Sequence, residues 1–217
     1  MKLILLELNE INFDVVKKYI NNGVKLPGFS SIINSGLIET CSENEYDLLE
    51  PWIQWPSVHT GLSYSDHKIF RLGDSIHSKI PQIFEEIESM GFSVGAVSPM
   101  NARNTLDKPK YFIPDPWTKT HSDGSYLSKS ISQAISQAVN DNSESKLSLL
   151  TLFNLALAFF LLVNPFRYLS LVKYAVLALK KPWRKALFLD KLLYEIHKTL
   201  FLKKSPDFST LFLNAGA

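Results

Sequence analysis

The stretch "KLILLEL" (residues 2–8) decides the fold class, because it is a short apolar run without helical spacing. Such a run is typical of a strand that is buried on both faces, as strands of parallel sheets are. The next stretch, "NFDVVKKYINNG" (12–23), predicts a helix that ends at Gly23, a residue free to adopt a positive φ. A strand followed directly by a helix favours an α/β fold.

The rest of the chain repeats this alternation of strands and helices. "FSVGAVSPM" (92–100) predicts a second buried strand, and "FSTLFLNAGA" (208–217) predicts a final one. The other predicted segments are a helix over 27–36, a strand or extended arm over 37–43, a helix over 80–91, an irregular excursion over 101–124 and a helix over 125–139. We therefore predict a largely parallel sheet flanked by helices.

Charge is distributed unevenly and divides the chain. Residues 1–145 hold 12 Lys or Arg against 18 Asp or Glu, whereas residues 146–204 hold 11 against 2. The polar stretch 140–146 reads as a linker between the two. We predict an α/β core formed by 1–145 and 205–217, with 146–204 as a basic, apolar helical insert.

Three interpretations of the insert remain open. Its helices could form a buried subdomain, lie at a membrane interface with their basic residues on anionic lipid, or span the membrane. "LSLLTLFNLALAFFLLV" (147–163) has no charge, but a helix of this length spans only about 25 Å. A single crossing would also separate the last strand from the first ones, and residues 168–179 are short for a second crossing.

Composition excludes several classes of protein. The single cysteine, Cys41, excludes an internal disulfide framework and a cysteine-based zinc site. No phosphate-binding glycine motif occurs, and the acidic first 145 residues oppose binding to nucleic acid. The N-terminus lacks the long apolar core of a secretory signal. These features predict a cytoplasmic protein, with peripheral attachment at the inner face of the membrane if the insert binds lipid.

A second segment carries the functional signal. "EPWIQWPSVHTGLSYSDHKIFRLGD" (50–74) places two tryptophans and two prolines ahead of a Thr-Gly-Leu step and a later histidine. Together with "LELNEINFDVVKKYI" (6–20) and "LPGFSSI" (26–32), it resembles the alkaline phosphatase superfamily. The similarity is greatest to the branch of type I phosphodiesterases and nucleotide pyrophosphatases. It covers residues 1–100 well and residues 205–217 weakly.

The resemblance implies a sheet between helices and a two-metal site, usually two zinc ions, at the strand ends. Two cations stabilise the attacking and leaving oxygens of a displacement at phosphorus. The family has an aspartate at the end of its first strand and a threonine or serine nucleophile at a helix start. The resemblance also implies a histidine-bearing segment after the last strand, so this chain is expected to be the N-terminal portion of such a protein.

At both positions this sequence departs from the family. Asn9, with Glu10 beside it, stands where the metal-binding aspartate is expected, and Gln54 stands where the nucleophile is expected. An amide is a poor nucleophile, so Ser57 and Thr60 are the nearest alternatives. We therefore take Asn9 and Glu10 as candidate metal ligands, and Gln54, Ser57 and Thr60 as candidate catalytic residues.

Aromatic and imidazole side chains complete the candidate site. Trp52 and Trp55 could line a substrate pocket or pack the segment against the core. His59 could bind substrate or metal, or serve the structure. Glu7 lies inside an apolar strand, where an unpaired charge is costly, so it needs a partner.

The expected function is metal-dependent hydrolysis or transfer of an anionic ester, as in phosphodiesterases or sulfatase-like enzymes. The substrate would be an anionic small molecule or a glycolipid. Because the metal shell is incomplete, we expect this chain to be inactive alone. The alternative is a non-catalytic scaffold or a membrane-associated binding module of the same fold.

Overall fold

A computed structural model describes residues 2–140, 149–181 and 184–216. Within them, four strands form one all-parallel sheet that is flanked by helices, which confirms the α/β prediction. The strands are β1 (Leu3–Leu8), β2 (Val94–Val97), β3 (Tyr111–Ile113) and β4 (Phe208–Leu213).

The α-helices in the described ranges are α1 (Phe13–Asn21), α2 (Pro27–Asn34), α3 (Pro51–Thr60), α4 (Tyr64–His67), α5 (Ile83–Ser89), α6 (Tyr126–Asn140), α7 (Leu149–Leu162), α8 (Tyr168–Lys180) and α9 (Arg184–Lys204). Short 3-10 turns lie at Tyr46–Leu48, Asp74–His77 and Pro165–Arg167. Helix starts follow local chemistry: the Asn12 side chain caps α1, and Gln82 and Glu85 form a capping box at α5.

The strand order is β1-β4-β2-β3, so the last strand of the chain lies between the first two. Leu3 of β1 and Val94 of β2 both pair with Phe208 of β4. Because side chains alternate along a strand, this register fixes which residues share a face. Leu5, Glu7, Thr210 and Phe212 lie on one face, beside α3 and α5.

The opposite face carries the larger apolar cluster. Val97, Tyr111 and Leu211 of the sheet pack there against buried residues of α6, α7 and α9. The smaller cluster on the first face includes Phe84 of α5 and Phe208 of β4. The two clusters place the sheet between two helical layers, which is the arrangement that parallel strands require.

The tryptophan segment is helical over Pro51–Thr60, so Gln54, Ser57 and Thr60 all lie within one helix. Pro51 occupies the first turn, and Gly61 ends the helix with a φ of 69°. Pro56 lacks the N–H that would bond to the Trp52 carbonyl, and the Asn101 side-chain amide donates to that carbonyl instead, at 2.7 Å. Asn101 thus supplies the hydrogen bond that the proline removes.

The structure also bears on two other predicted segments. Residues 101–124, predicted as irregular, contain the short strand β3, whose three residues are buried between proline-rich stretches. Three residues are too few for a periodicity signal. Residues 37–43, predicted as a strand or an extended arm, form no strand.

The segment predicted as an insert is helical in its described parts. Its last helix, α9, packs directly on β4 and β2, so the apolar cluster on that face contains side chains from both predicted units. Among the described residues, no helix combines the length and apolar character needed to cross a bilayer. Residues 141–146 of the predicted linker, the start of the insert (146–148), and Pro182 lie outside the described residues.

A buried polar chain joins α9 to the sheet. The Tyr111 hydroxyl lies 2.7 Å from the Ser209 hydroxyl, and His197 Nε2 of α9 lies 2.8 Å from the same oxygen. Burial lowers the pKa of His197 to about 4 and raises the pKa of Tyr111 to about 12. Both side chains are therefore neutral in the folded protein at neutral pH.

Because burial lowers the pKa of His197, we predict that the protein loses stability in acid. Below a pKa of 6.5 the unfolded chain binds a proton at this histidine, which the folded chain does not do until about pH 4. The free energy of unfolding should therefore fall by about 3 kcal/mol as the pH drops through this window. Urea denaturation across the window measures it. His197→Gln keeps a hydrogen-bonding side chain and should flatten the dependence, whereas an equally steep dependence in this variant would contradict the assignment.

Candidate functional site

Because all four strands are parallel, their carboxyl ends lie along one edge of the sheet. Asn9 follows β1, Ser98 follows β2 and Asn214 follows β4. The last paired residues are Leu8 with Leu213, Val97 with Leu211 and Val97 with Ile113, so the ends of neighbouring strands lie side by side. Ligands of open α/β sheets usually bind outside this edge, so it is the place to examine first.

Asn9 follows β1, an outer strand of the sheet, and is buried. Its side-chain oxygen accepts a hydrogen bond from Trp55 Nε1 at 2.9 Å, and its amide nitrogen donates to Asn214 Oδ1 at 2.8 Å. Its backbone N–H donates to the Leu213 carbonyl at 3.0 Å. The side chain of Asn9 therefore bridges the end of β1 to both α3 and β4.

The pairing of Asn9 with Asn214 follows from register. Leu8 pairs with Leu213, and each leucine is followed by an asparagine, so the two amides become neighbours. Gly216 then passes so close to β1 that a Cβ atom there would lie 2.5 Å from the Asn9 carbonyl oxygen. Sequence reasoning missed Asn214, although the shared Leu-Asn ending of the two strands was a usable signal.

Trp55 connects the site to the core. Its ring packs edge-on against Phe212 of β4, with 5.3 Å between centroids, and Trp117 contacts Phe212 in the same manner at 6.2 Å. The indole of Trp55 is thus held between Asn9 and Phe212. This tryptophan packs the helix on the sheet, as one of its two predicted roles requires, and it also holds the Asn9 side chain; its role in a substrate pocket stays a prediction.

The three candidate catalytic side chains of α3 all bond to the protein itself. Gln54 Nε2 donates to the Leu48 carbonyl at 2.6 Å, and the Thr60 hydroxyl donates to the Pro56 carbonyl at 2.7 Å. The Ser57 hydroxyl lies 2.9 Å from His67 Nε2. The observed contacts are therefore those of a helix and its adjoining turns.

The Ser57–His67 pair resembles an activated nucleophile, but its hydrogen bonds oppose that role. His67 Nδ1 accepts from the Ile69 N–H at 2.9 Å, which leaves the ring proton on Nε2 in the neutral imidazole. Nε2 then donates to Ser57 and cannot accept its proton. Burial lowers the pKa of His67, which favours this neutral form.

His59 and Glu7 form a buried pair beneath the site. His59 Nε2 lies 3.3 Å from Glu7 Oε2, and the Thr210 hydroxyl donates to Glu7 Oε1. Both side chains are fully buried. The partner that the sequence required for Glu7 is therefore a histidine of α3 together with a threonine of β4, and this pair joins three elements below the edge.

Trp52 and Glu10, two other predicted site residues, take no part in the hydrogen bonds that join Asn9 to Trp55 and Asn214. The Trp52 side chain lines a surface groove of about 460 Å³ with Phe70 and Arg71. Glu10 is exposed and has a φ of 55°, an uncommon conformation for a residue other than glycine. The structure therefore joins Asn9 with Trp55 by a hydrogen bond, and the His59 ring contacts the Trp55 ring at 6.1 Å between centroids.

Asn101 and Asp115 are buried polar residues that sequence reasoning missed. Asp115, two residues beyond β3, accepts hydrogen bonds from the backbone N–H groups of Asn101, Trp117 and Thr118. Burial nevertheless raises the pKa of Asp115, because desolvation outweighs these bonds. Asn101 has a φ of 49°. Both lie in the segment predicted as irregular, where no periodicity pointed to them.

A cavity of about 220 Å³ adjoins Asn214 on the face covered by α6 and α9. Most of its lining is apolar, including Trp117, Phe212 and Leu193. Asp190 borders it, accepts from the Asn214 and Ala215 N–H groups at 3.0 and 2.6 Å, and has its pKa raised by burial. Asn214 thus lines this cavity and also accepts the hydrogen bond from Asn9.

The described residues offer few ligands for the predicted metal site. In the described ranges no group of three His, Cys, Asp or Glu side chains is arranged to hold a metal ion. Asn9 uses both ends of its amide in hydrogen bonds to Trp55 and Asn214. Asn9 and Glu10 as metal ligands therefore remain a prediction from the resemblance.

Comparisons of the chain with family models, with curated proteins and with solved structures find no match.

Proposed function

We propose that this chain is an alkaline-phosphatase-like scaffold whose sheet edge corresponds to a metal-dependent phosphoesterase site for an anionic ester. The observation that carries the proposal is the position of the Asn9 side chain between Trp55 of α3 and Asn214 of β4. The resemblance requires the end of the first strand and the tryptophan segment to meet at one edge. The hydrogen bond between Trp55 and Asn9 meets this requirement.

The same geometry favours a chain without hydrolase activity of its own. The side chains at and after the nucleophile position are Gln54, which bonds to a carbonyl, Ser57, which accepts from a histidine, and Thr60, which bonds to its own helix. A nucleophile needs a base or a cation to remove its proton, and these contacts supply neither. A related chain with a complete metal shell would use two zinc ions at this edge.

A non-catalytic scaffold is the second candidate, and the amide of Asn9 favours it. A neutral amide that satisfies both neighbouring elements holds the edge together without any ligand. In that case the arrangement of Asn9, Trp55 and Asn214 serves stability alone, and an anionic ester has no role.

Zinc binding by Asn9→Asp distinguishes the two candidates. A carboxylate at this position can still accept from Trp55, and the Asn214 amide can rotate to donate to it. Beside Glu10 it would provide two carboxylates, which suit zinc. We expect zinc affinity at least about tenfold above that of the wild type, measured by calorimetry. The matched control is Asn12→Asp, which adds the same charge at an exposed helix cap where aspartate is equally suitable.

The two candidate functions predict different results for these variants. A gain confined to Asn9→Asp supports a former metal site, whereas equal affinities in both variants overturn it. Wild-type protein with added zinc should not hydrolyse bis(nitrophenyl) phosphate above the rate without protein. Stoichiometric binding of two zinc ions with hydrolysis of this ester would show instead that the chain is itself an enzyme.

A further inference from the structure

Helix α8 has apolar residues on both of its sides. Leu171 and Ala178 are buried, and α8 packs against α9. The opposite side carries four aliphatic residues with the spacing i, i+3, i+7 and i+10, which places them in one row along the helix. We call this row the outer stripe: Leu169, Val172, Val176 and Leu179.

The outer stripe is strongly exposed. Leu169 is 87% exposed and Leu179 is 84% exposed, and Phe166, in the turn that precedes the helix, is 94% exposed. Phe160, at the end of α7, is exposed as well and contacts Tyr168 at the start of α8. A helix that is apolar all round normally has both sides covered, so a contiguous stripe of this kind indicates a surface that is covered by a partner.

Charge identifies the kind of partner. Between Glu144 and Asp190 the sequence contains seven Lys or Arg and no acidic residue. Of these, Lys173 and Lys181 are exposed. Arg167 forms an ion pair with Glu195 of α9, with 3.9 Å between Nε and Oε1. A symmetric contact between two copies would bring these cations together without acidic residues of the same segment to offset them. An anionic surface has the matching charge.

We propose that the outer stripe and Phe166 insert into the interface of an anionic phospholipid bilayer, with α8 parallel to the membrane plane. Apolar side chains of such a helix enter the boundary between head groups and acyl chains, while nearby lysines contact the head groups. The helix does not cross the bilayer, in agreement with its 13 residues. The proposal does not depend on any chemistry at the sheet edge.

Vesicle co-sedimentation tests the proposal. Purified protein is mixed with vesicles of phosphatidylcholine alone or of phosphatidylcholine with one third phosphatidylglycerol. We expect binding to the mixed vesicles, weaker binding to the neutral ones, and a further decrease when salt is added. Phe166→Glu should lower the partition constant by at least about tenfold, because it removes the burial of a phenylalanine.

Matched variants separate this surface from general effects of charge. Ile38→Glu introduces the same residue at a side chain that is 95% exposed, far from α8 in sequence, and should leave binding unchanged. Lys173→Glu should weaken binding to the mixed vesicles by at least about fivefold, whereas Lys25→Glu, another exposed lysine, should have a much smaller effect. All four positions are exposed, so the variants are expected to fold, and circular dichroism checks this.

Two results would overturn the proposal. One is absence of binding to both kinds of vesicle by the folded wild-type protein. The other is an equal loss of binding in Phe166→Glu and Ile38→Glu. The outer stripe could instead be covered by a second copy of the chain, and light scattering after size-exclusion chromatography tests this. A dimer that Phe166→Glu dissociates, together with absence of vesicle binding, would assign the stripe to a dimer interface.

Discussion

Replacing Glu7 with leucine is expected to lower the free energy of unfolding by about 3–5 kcal/mol. The carboxylate is fully buried and contacts both His59 and Thr210. Its removal leaves the His59 imidazole without its only hydrogen-bond partner among the described residues, since Nδ1 has none there. A buried polar group that loses its partner keeps the cost of desolvation without compensation. Urea denaturation monitored by tryptophan fluorescence measures the change.

Two further variants make this prediction specific. Glu39→Leu exchanges the same residues at an exposed site outside the sheet and should change the stability by less than about 0.5 kcal/mol. The double variant Glu7→Leu with His59→Leu replaces the pair by apolar side chains and should recover part of the loss, because the imidazole is removed and the Thr210 hydroxyl keeps its bond to the Leu5 carbonyl at 3.2 Å. Additive losses in the double variant would mean that the two side chains do not stabilise each other.

Gly95→Ala is expected to lower the free energy of unfolding by about 3 kcal/mol. Gly95 lies on β2 between Tyr111 of β3 and Ser209 of β4, and the Tyr111 ring crosses it to reach the Ser209 hydroxyl. A Cβ atom at Gly95 would lie 2.7 and 2.9 Å from the ring atoms Cε1 and Cε2. Neither the ring nor the strand can move without breaking this hydrogen bond or the sheet. Thermal or urea unfolding measures the loss.

The control for this prediction is another glycine. Gly28 lies in α2 and does not need a positive φ, and no heavy atom of the described residues lies within 4 Å of the position of a Cβ, so Gly28→Ala should be neutral or stabilising by up to about 1 kcal/mol. In the Gly95→Ala background, Tyr111→Leu should cost much less than it does in the wild type, because the smaller side chain removes the clash. Equal costs in both backgrounds would show that the ring is not what excludes a side chain at Gly95.

The sequence predicted well those elements that have a periodic or continuous apolar pattern. The strands at Leu3–Leu8 and Phe208–Leu213 and the helix Tyr126–Asn140 are long enough for such a pattern to be read. The strand Tyr111–Ile113 has only three residues, and its neighbours are rich in proline. Its place in the sheet depends on pairing with Val94–Val97, which is a tertiary contact that no local pattern contains.

The candidate site was predictable only in part, for a related reason. The resemblance pointed to Asn9 and to the tryptophan segment, and the structure brings Asn9 and Trp55 together. No helix was predicted for that segment, and Pro56 inside it removes one helical hydrogen bond. Asn101 supplies the missing hydrogen bond from 49 residues away. The partner of Glu7 could be anticipated as a requirement, but its identity as His59 depends on how α3 packs on β1.

The strand order has a consequence for how the protein is made. Leu3 pairs with Phe208, so the first strand leaves the ribosome long before the strand that will sit beside it has been translated. β2 likewise lacks one of its two neighbours until that moment. Pairing over such a separation is slow, because a long chain must be closed first. Until β4 is synthesised, the apolar strands β1 and β2 of the nascent polypeptide are incompletely paired. We therefore expect chaperones to bind it during synthesis.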